Sequence, residues 1–90
     1  MSYGVNLAPE AREDLAKLPS QIRSQVEQAL ARLADAPTAL SRPSHFPYVP
    51  AQAYELEYQL DETEYFITIL FRYSQDERDL IILAIPCLTD

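Results

Sequence analysis

The spacing of the apolar residues changes from a helical to a strand period in the middle of this chain. Residues 22–33 carry the apolar stripe of an amphipathic helix, formed by Ile22, Val26, Leu30 and Leu33. Residues 54–60 instead alternate apolar and polar side chains, which is typical of a strand with one wet face. Between them, residues 37–50 contain four prolines and are predicted to be an irregular loop. Helices followed by strands predict an α+β fold.

The first half of the chain predicts a short strand and a helical hairpin. Residues 3–8 alternate apolar with small or polar residues, as a short strand does. Pro9 suits the first turn of a helix that ends near Leu18. Ser20 is predicted to be the N-cap of a second helix that ends before Pro37.

The second half predicts an antiparallel meander of three strands. The first covers residues 54–60, and residues 64–73, nearly all apolar, predict a central strand with both faces partly covered. Residues 80–85 predict a third strand, and the following Pro86 suits an edge position. The predicted order is β-α-α-β-β-β, in a single domain over residues 1–90.

Composition narrows the class of protein. No apolar run approaches the roughly 20 residues of a membrane helix, so we expect no membrane partner. The start, Met1 to Gly4, has neither a basic region nor an apolar core, so we expect no secretion. The single cysteine, Cys87, excludes an internal disulfide and a cysteine-cluster metal site. We therefore expect a cytoplasmic protein without a metal or cofactor.

The net charge of −7 lies entirely in the second half of the chain. Residues 1–50 contain five acids and five bases, whereas residues 51–90 contain nine acids and two bases. Nucleic-acid affinity depends on neutralising phosphates with Lys and Arg. Direct nucleic-acid binding by this chain is therefore not expected.

Several ordered segments resemble a known family. They are Val5-Asn6-Leu7-Ala8-Pro9-Glu10-Ala11, Asp14-Leu15-Ala16-Lys17-Leu18-Pro19, Leu30-Ala31-Arg32-Leu33-Ala34-Asp35-Ala36-Pro37, Ala53-Tyr54-Glu55-Leu56, Ile69-Leu70-Phe71-Arg72-Tyr73 and Leu80-Ile81-Ile82-Leu83-Ala84-Ile85. In this order they resemble the RelE/ParE toxins of type II toxin–antitoxin modules. The resemblance implies the fold predicted above and a cognate antitoxin as partner.

The resemblance implies two kinds of activity, and this chain departs from one of them. Messenger-cleaving members act on the ribosome without a metal, using basic residues on the exposed sheet face and the C-terminal tail, whereas other members bind DNA gyrase. Where cleaving members resemble Lys-x-Lys, this chain has Glu55 and Glu57, and Thr68 stands at a position that is usually arginine. The tail, residues 86–90, has no Arg, Lys, His or Tyr. The sequence therefore predicts loss of the usual ribonuclease site.

Few residues remain as catalytic candidates. A rearranged ribonuclease site would have to use His45, Arg42, Arg72 or Arg78. His45, the only histidine, is more often a loop-packing residue in such a context. Arg72 shares a strand face with residues 66–70 and is interpreted mainly as a salt-bridge partner for the glutamates. The tyrosines of the strands, numerous enough to suggest base stacking, are interpreted as packing residues.

Glu55 and Glu57 taken alone are interpreted as a solvated strand face, whereas for the sheet as a whole a partner-binding surface is favoured over a ribonuclease site. The predicted residues of this surface are Glu55, Glu57, Phe66, Leu70 and Arg72, together with the predicted edge strand over residues 80–85. Because this surface is acidic, we expect an antitoxin tail rich in Lys and Arg. The leading hypothesis is a toxin that acts on a protein target such as gyrase. The alternatives are a ribosome-dependent mRNA endonuclease with a rearranged site, and a degenerate, non-toxic binding module.

Overall fold

In the computed structural model, the chain folds into a six-stranded sheet with helices on one face. The structure describes residues 2–45, apart from the side chain of His45, and residues 50–90. The strands are β1 (Gly4–Leu7), β2 (Arg42–His45), β3 (Pro50–Leu60), β4 (Thr63–Tyr73), β5 (Asp79–Ala84) and β6 (Cys87–Thr89). The helices are α1 (Pro9–Ala16), α2 (Ser20–Asp35) and the single turn α3 (Pro37–Leu40). The predicted α+β class and the order of its main elements are confirmed.

The sheet has the strand order β1-β5-β4-β3-β2, and β6 also pairs with β4. β1 runs parallel to β5, and every other pairing is antiparallel. The predicted meander is therefore β3, β4 and β5, with β4 at its centre as expected. β4 is central because its apolar residues are covered on both sides by other strands and on one face by the helices.

The core lies between the helical hairpin and one face of the sheet. It is lined by the predicted α2 stripe and by alternate residues of β4, namely Ile22, Val26, Leu30, Leu33, Ile67, Ile69 and Phe71. Burying each such side chain contributes about 1.5–3 kcal/mol. Since a strand alternates its side chains, the even-numbered residues of β4 from Phe66 to Arg72 point to the other face.

A polar side chain joins the two helices at their short link. Arg23 of α2 donates hydrogen bonds to the carbonyl oxygens of Leu15, Ala16 and Leu18, at 3.3, 3.2 and 3.1 Å. These carbonyls belong to the last turn of α1 and the residues after it, where no further helical N–H follows. Arg23 therefore stabilises the end of α1 from the neighbouring helix.

Several local predictions were wrong. Ser20 is the first residue of α2 rather than its N-cap, which is Pro19 and makes no side-chain cap. The segment predicted as a loop over residues 37–50 contains α3 and β2, because Pro37 can start a helical turn and β2 pairs with residues 50–53 of β3. The four residues 46–49 of that predicted loop lie outside the described part of the chain.

The predicted edge strand is an interior strand. β5 lies between β1 and β4, because the first strand of the chain returns to pair with residues 79–82. Strand addition along this part of β5, as predicted for an antitoxin segment, is therefore blocked. The tail after Pro86 also forms a strand, β6, which pairs with residues 65–67 of β4.

Candidate functional site

The face of the sheet that points away from the helices, here called the open face, holds the predicted partner-binding residues. Glu55 and Glu57 of β3 lie opposite Thr68 and Phe66 of β4 in the antiparallel register. Residues directly opposite each other in such a register point to the same face. These four side chains line a shallow, open depression of about 380 Å³. The structure thus brings the two glutamates and Phe66 together, as predicted.

The ion pair on the open face differs from the predicted one. Arg42 of β2 pairs with Glu55 through Nη2 and Oε1, and both side chains are well exposed, at 71% and 56%. Arg72, predicted as the partner of the glutamates, instead donates a hydrogen bond from Nη1 to the Tyr73 carbonyl at 3.3 Å. The prediction for Arg72 was wrong because β2, taken for a loop, places Arg42 beside β3.

Leu70 is not available to a partner. It is only 4% exposed and packs with Ala53 and Ala84 in a small second cluster on the open face. Its inclusion in the predicted binding surface is therefore incorrect. Phe66, by contrast, is only partly buried and remains within the depression.

Leu88 is a surface residue of the open face that was not predicted from the sequence. It lies opposite Phe66 in the pairing of β6 with β4 and is 74% exposed. The alternation of Cys87, Leu88 and Thr89 after Pro86 was the available signal, because it is the pattern of a short strand. Leu88 and Phe66 give the open face an apolar pair beside its glutamates.

The catalytic candidates occupy two separate places. Arg72 lines a depression with residues of β2, including Ser44, so it lies near the strand that contains His45. The side chain of His45 is outside the described part of the structure. Arg78 lies in the turn between β4 and β5, where it lines a different depression with Ser2 and Tyr3. The structure therefore does not gather all the predicted candidates at one site.

The tyrosines pack against the core on the helical side. Tyr58 donates a hydrogen bond to the Gln25 carbonyl at 3.3 Å, and burial raises the pKa of Tyr58 despite the opposing effect of Arg32. The Tyr3 and Tyr73 rings lie 5.6 Å apart, in a tilted arrangement. The packing interpretation is confirmed for these residues, whereas Tyr48 lies outside the described part.

The remaining chemistry of the described residues is limited. Burial raises the pKa of the Cys87 thiol, which disfavours the reactive thiolate. Within residues 2–45 and 50–90, no group of three or more His, Cys, Asp and Glu side chains is arranged to hold a metal ion. No helix in these ranges is long and apolar enough to cross a membrane.

Comparisons with known proteins give a clear result for the fold. No protein-family model and no curated protein sequence matches the chain. Among solved structures, the RelBE2 toxin–antitoxin complex from Mycobacterium tuberculosis contains a chain that is 24% identical, with a TM-score of 0.69. That match covers 94% of this chain and 96% of the other. A mutant of the Escherichia coli toxin RelE in the free state is 15% identical over 94% of this chain and 82% of its own, with a TM-score of 0.65.

Proposed function

Because the chain has the fold of the RelE toxins, we propose that it is the toxin subunit of a toxin–antitoxin pair. The match to RelBE2 extends over nearly the full length of both chains, and that protein was solved as a toxin–antitoxin complex. An antitoxin is accordingly the proposed partner of this chain. The proposal for the mode of action comes from the open face, because that is where the chain departs from the cleaving members of the family.

The toxin acts by binding a protein rather than by cutting RNA. The observation that carries this proposal is the position of Glu55 and Glu57 beside Phe66 on the open face. A scissile phosphate needs positive charge close to it, and two carboxylates would repel it instead. Among the described residues, Arg42 is the cation in contact with these glutamates, and it is already paired with Glu55. A protein such as gyrase is therefore the proposed target class.

One observation favours the alternative of a rearranged mRNA endonuclease. Arg72 is exposed and lines a depression with Ser44 and Gln52, so this cavity has a cation in its wall. Such a cation would supply positive charge next to a scissile phosphate. The acidic residues on the same face make this the second candidate.

Induced expression in bacteria tests both candidates. Growth arrest with intact messages and damaged DNA supports the gyrase-type target, whereas growth arrest with cleaved messages supports the endonuclease. Absence of any growth effect indicates a non-toxic binding module and overturns the toxin proposal. Co-expression of the neighbouring open reading frame is expected to relieve the arrest if that frame encodes the antitoxin.

Two variants make the test specific. Under the endonuclease alternative, Arg72→Ala would abolish toxicity, because it removes a cation that lines that depression. Under the protein-target proposal, Phe66→Ala is expected to weaken toxicity, since it removes the apolar side chain opposite Glu57. Arg12→Ala, an exposed change on α1, is the matched control.

A further inference from the structure

β3 has a free edge along most of its length. On one side it pairs with β4 from Gln52 to Leu60, but on the other side β2 pairs only with Pro50 to Ala53. Within the described residues, no strand pairs with residues 54–60 on the β2 side. Unpaired N–H and C=O groups along a strand edge are a template for another extended chain.

Along this edge, the side chains on the two faces of β3 differ in chemistry. On the open face the side chains of Glu55, Glu57 and Gln59 are exposed. On the helical face the half-buried side chains are apolar or aromatic, namely Tyr54, Leu56, Tyr58 and Leu60. A strand added here would therefore place alternate side chains against carboxylates and against an apolar rim.

The charges argue against a second copy of the chain as the occupant. If two β3 edges paired with each other, glutamates of one copy would lie near glutamates of the other on the open face. Like charges opposite each other destabilise a strand pair, whereas opposite charges stabilise it. The edge is therefore matched to a segment that carries cations at every second position.

We propose that residues 54–60 of β3 dock an extended partner segment in which Lys or Arg alternates with apolar residues. The backbone of the segment extends the sheet, its basic side chains face Glu55 and Glu57, and its apolar side chains cover Leu56 and Tyr58. This inference rests on the proposed function to the extent that the segment belongs to the antitoxin. It deepens that proposal by assigning the edge and the chemistry of the bound segment.

Peptide binding tests the proposal directly. The probes are two peptides of about ten residues, one alternating Lys with Val and one alternating Glu with Val, with binding measured by fluorescence anisotropy and NMR amide shifts. The Lys peptide is expected to bind at least about tenfold more tightly than the Glu peptide. Glu55→Lys combined with Glu57→Lys is expected to reverse this preference. Glu10→Lys with Glu13→Lys, the same charge change on α1, is expected to preserve it.

Backbone methylation separates strand addition from simple charge attraction. In an added strand, only every second N–H of the peptide points towards β3. N-methylation of one set of alternate residues is therefore expected to weaken binding by at least about tenfold, and methylation of the other set to leave it unchanged. The amides of residues 54–60 are expected to gain protection from hydrogen exchange.

Four results would overturn the inference: no binding of the Lys peptide, a preference that survives the double reversal at Glu55 and Glu57, equal effects of the two methylation patterns, or protection elsewhere than residues 54–60. Dimerisation of the chain through β3 would also overturn it. The growth assay is independent of these measurements. Growth arrest without a peptide preference would contradict only the docking inference. Peptide docking without growth arrest would contradict only the proposed toxin function.

Discussion

The carboxylate of Asp14 accepts a hydrogen bond from the backbone N–H of Ile85, with 2.9 Å between Asp14 Oδ2 and the Ile85 nitrogen. The bond joins α1 to the residue that follows β5, near the opposite end of the chain. Ile85 is 1% exposed and belongs to the core, so its N–H has little access to water. A side chain from the first helix thus satisfies a backbone donor at the end of the sheet.

Asp14→Ala is expected to lower the free energy of unfolding by about 1–3 kcal/mol, because it leaves a buried donor without a partner. Asp14→Asn keeps an acceptor oxygen and is expected to lose less. Urea unfolding of each variant measures the change. Glu13→Ala, at an exposed neighbouring position, serves as the control and is expected to change stability by no more than about 0.5 kcal/mol. Equal losses for Asp14→Ala and the control would show that the bond contributes nothing.

Arg23→Ala is expected to destabilise the protein by about 1–2 kcal/mol, since it removes three side-chain hydrogen bonds to carbonyl oxygens of Leu15, Ala16 and Leu18. Arg23→Lys is expected to recover only part of this loss. The ammonium group can still donate hydrogen bonds, but it lacks the planar fork of the guanidinium. Thermal unfolding followed by circular dichroism measures both. A melting temperature for Arg23→Ala that equals that of Arg12→Ala would contradict the capping role.

Glu77→Gly is expected to stabilise the fold. Glu77 has a φ of 57°, in the left-handed region, where a side chain costs about 1–2 kcal/mol that glycine does not incur. The greater backbone entropy of glycine in the unfolded chain offsets about 0.5–1 kcal/mol of that gain. Denaturant unfolding should therefore show a net gain of up to about 1.5 kcal/mol. Gln75→Gly in the same turn lacks the strain to relieve, and a similar gain there would refute this explanation.

The turn between β4 and β5 gives the protein a pH-dependent element. The Ser74 hydroxyl donates to Asp76 Oδ1 at 2.6 Å, and this bond, with the Arg78 N–H at 3.2 Å, holds the pKa of Asp76 below its usual range. Because the folded-state pKa lies below the unfolded value, the contribution of this carboxylate to stability is complete above the unfolded pKa. It is lost as the pH falls through the folded pKa.

Ser74→Ala is accordingly expected to raise the pKa of Asp76 towards the ordinary range, because the largest cause of its depression is removed. An NMR titration of the Asp76 carboxyl carbon measures the shift. Ser41→Ala removes a hydroxyl that donates to the Pro37 carbonyl, far along the chain from Asp76, and should leave the titration unchanged. An unaltered midpoint in Ser74→Ala would contradict the assignment.

The exposed pair of Arg42 and Glu55 is expected to couple by less than about 1 kcal/mol, and less again at high salt. A double-mutant cycle of Arg42→Ala and Glu55→Ala, measured by urea unfolding at low and high salt, gives the coupling energy. A coupling well above 1 kcal/mol would show that the pair is structural. A small value means that variants at Glu55 report on binding rather than on folding.

The sequence predicted the helices and the meander because their apolar periods are long and regular. The apolar pattern favours one secondary structure for residues 22–33 and one for residues 63–73, since any other would expose the side chains that now form the core. The positions of Glu55, Glu57 and Phe66 on one face followed from strand alternation. Their mutual placement required only that β3 and β4 form a hairpin.

Short strands with few apolar residues could not be predicted from the periodicity of the sequence. β2 contains Pro43 and no apolar alternation, so its pairing with β3 depends on the arrangement of the whole chain. Without β2, the sequence could not place Arg42 beside Glu55. β1 belongs next to β5 only because the chain crosses over the sheet through the helices, and that contact made the predicted edge an interior strand.

The pairing of β1 with β5 also governs the order in which the chain can acquire its structure during synthesis. Gly4 to Leu7 are synthesised well before their partners, Asp79 to Ile82, because the helices and three other strands lie between them in the chain. The helical hairpin depends on local contacts and can form early, whereas a pairing this distant in sequence forms late and slowly. The sheet is therefore completed only after β5 has been made. Until then β1 has no strand to join, and a chain that stops before β5 lacks a neighbour for both its first strand and the distal half of β4.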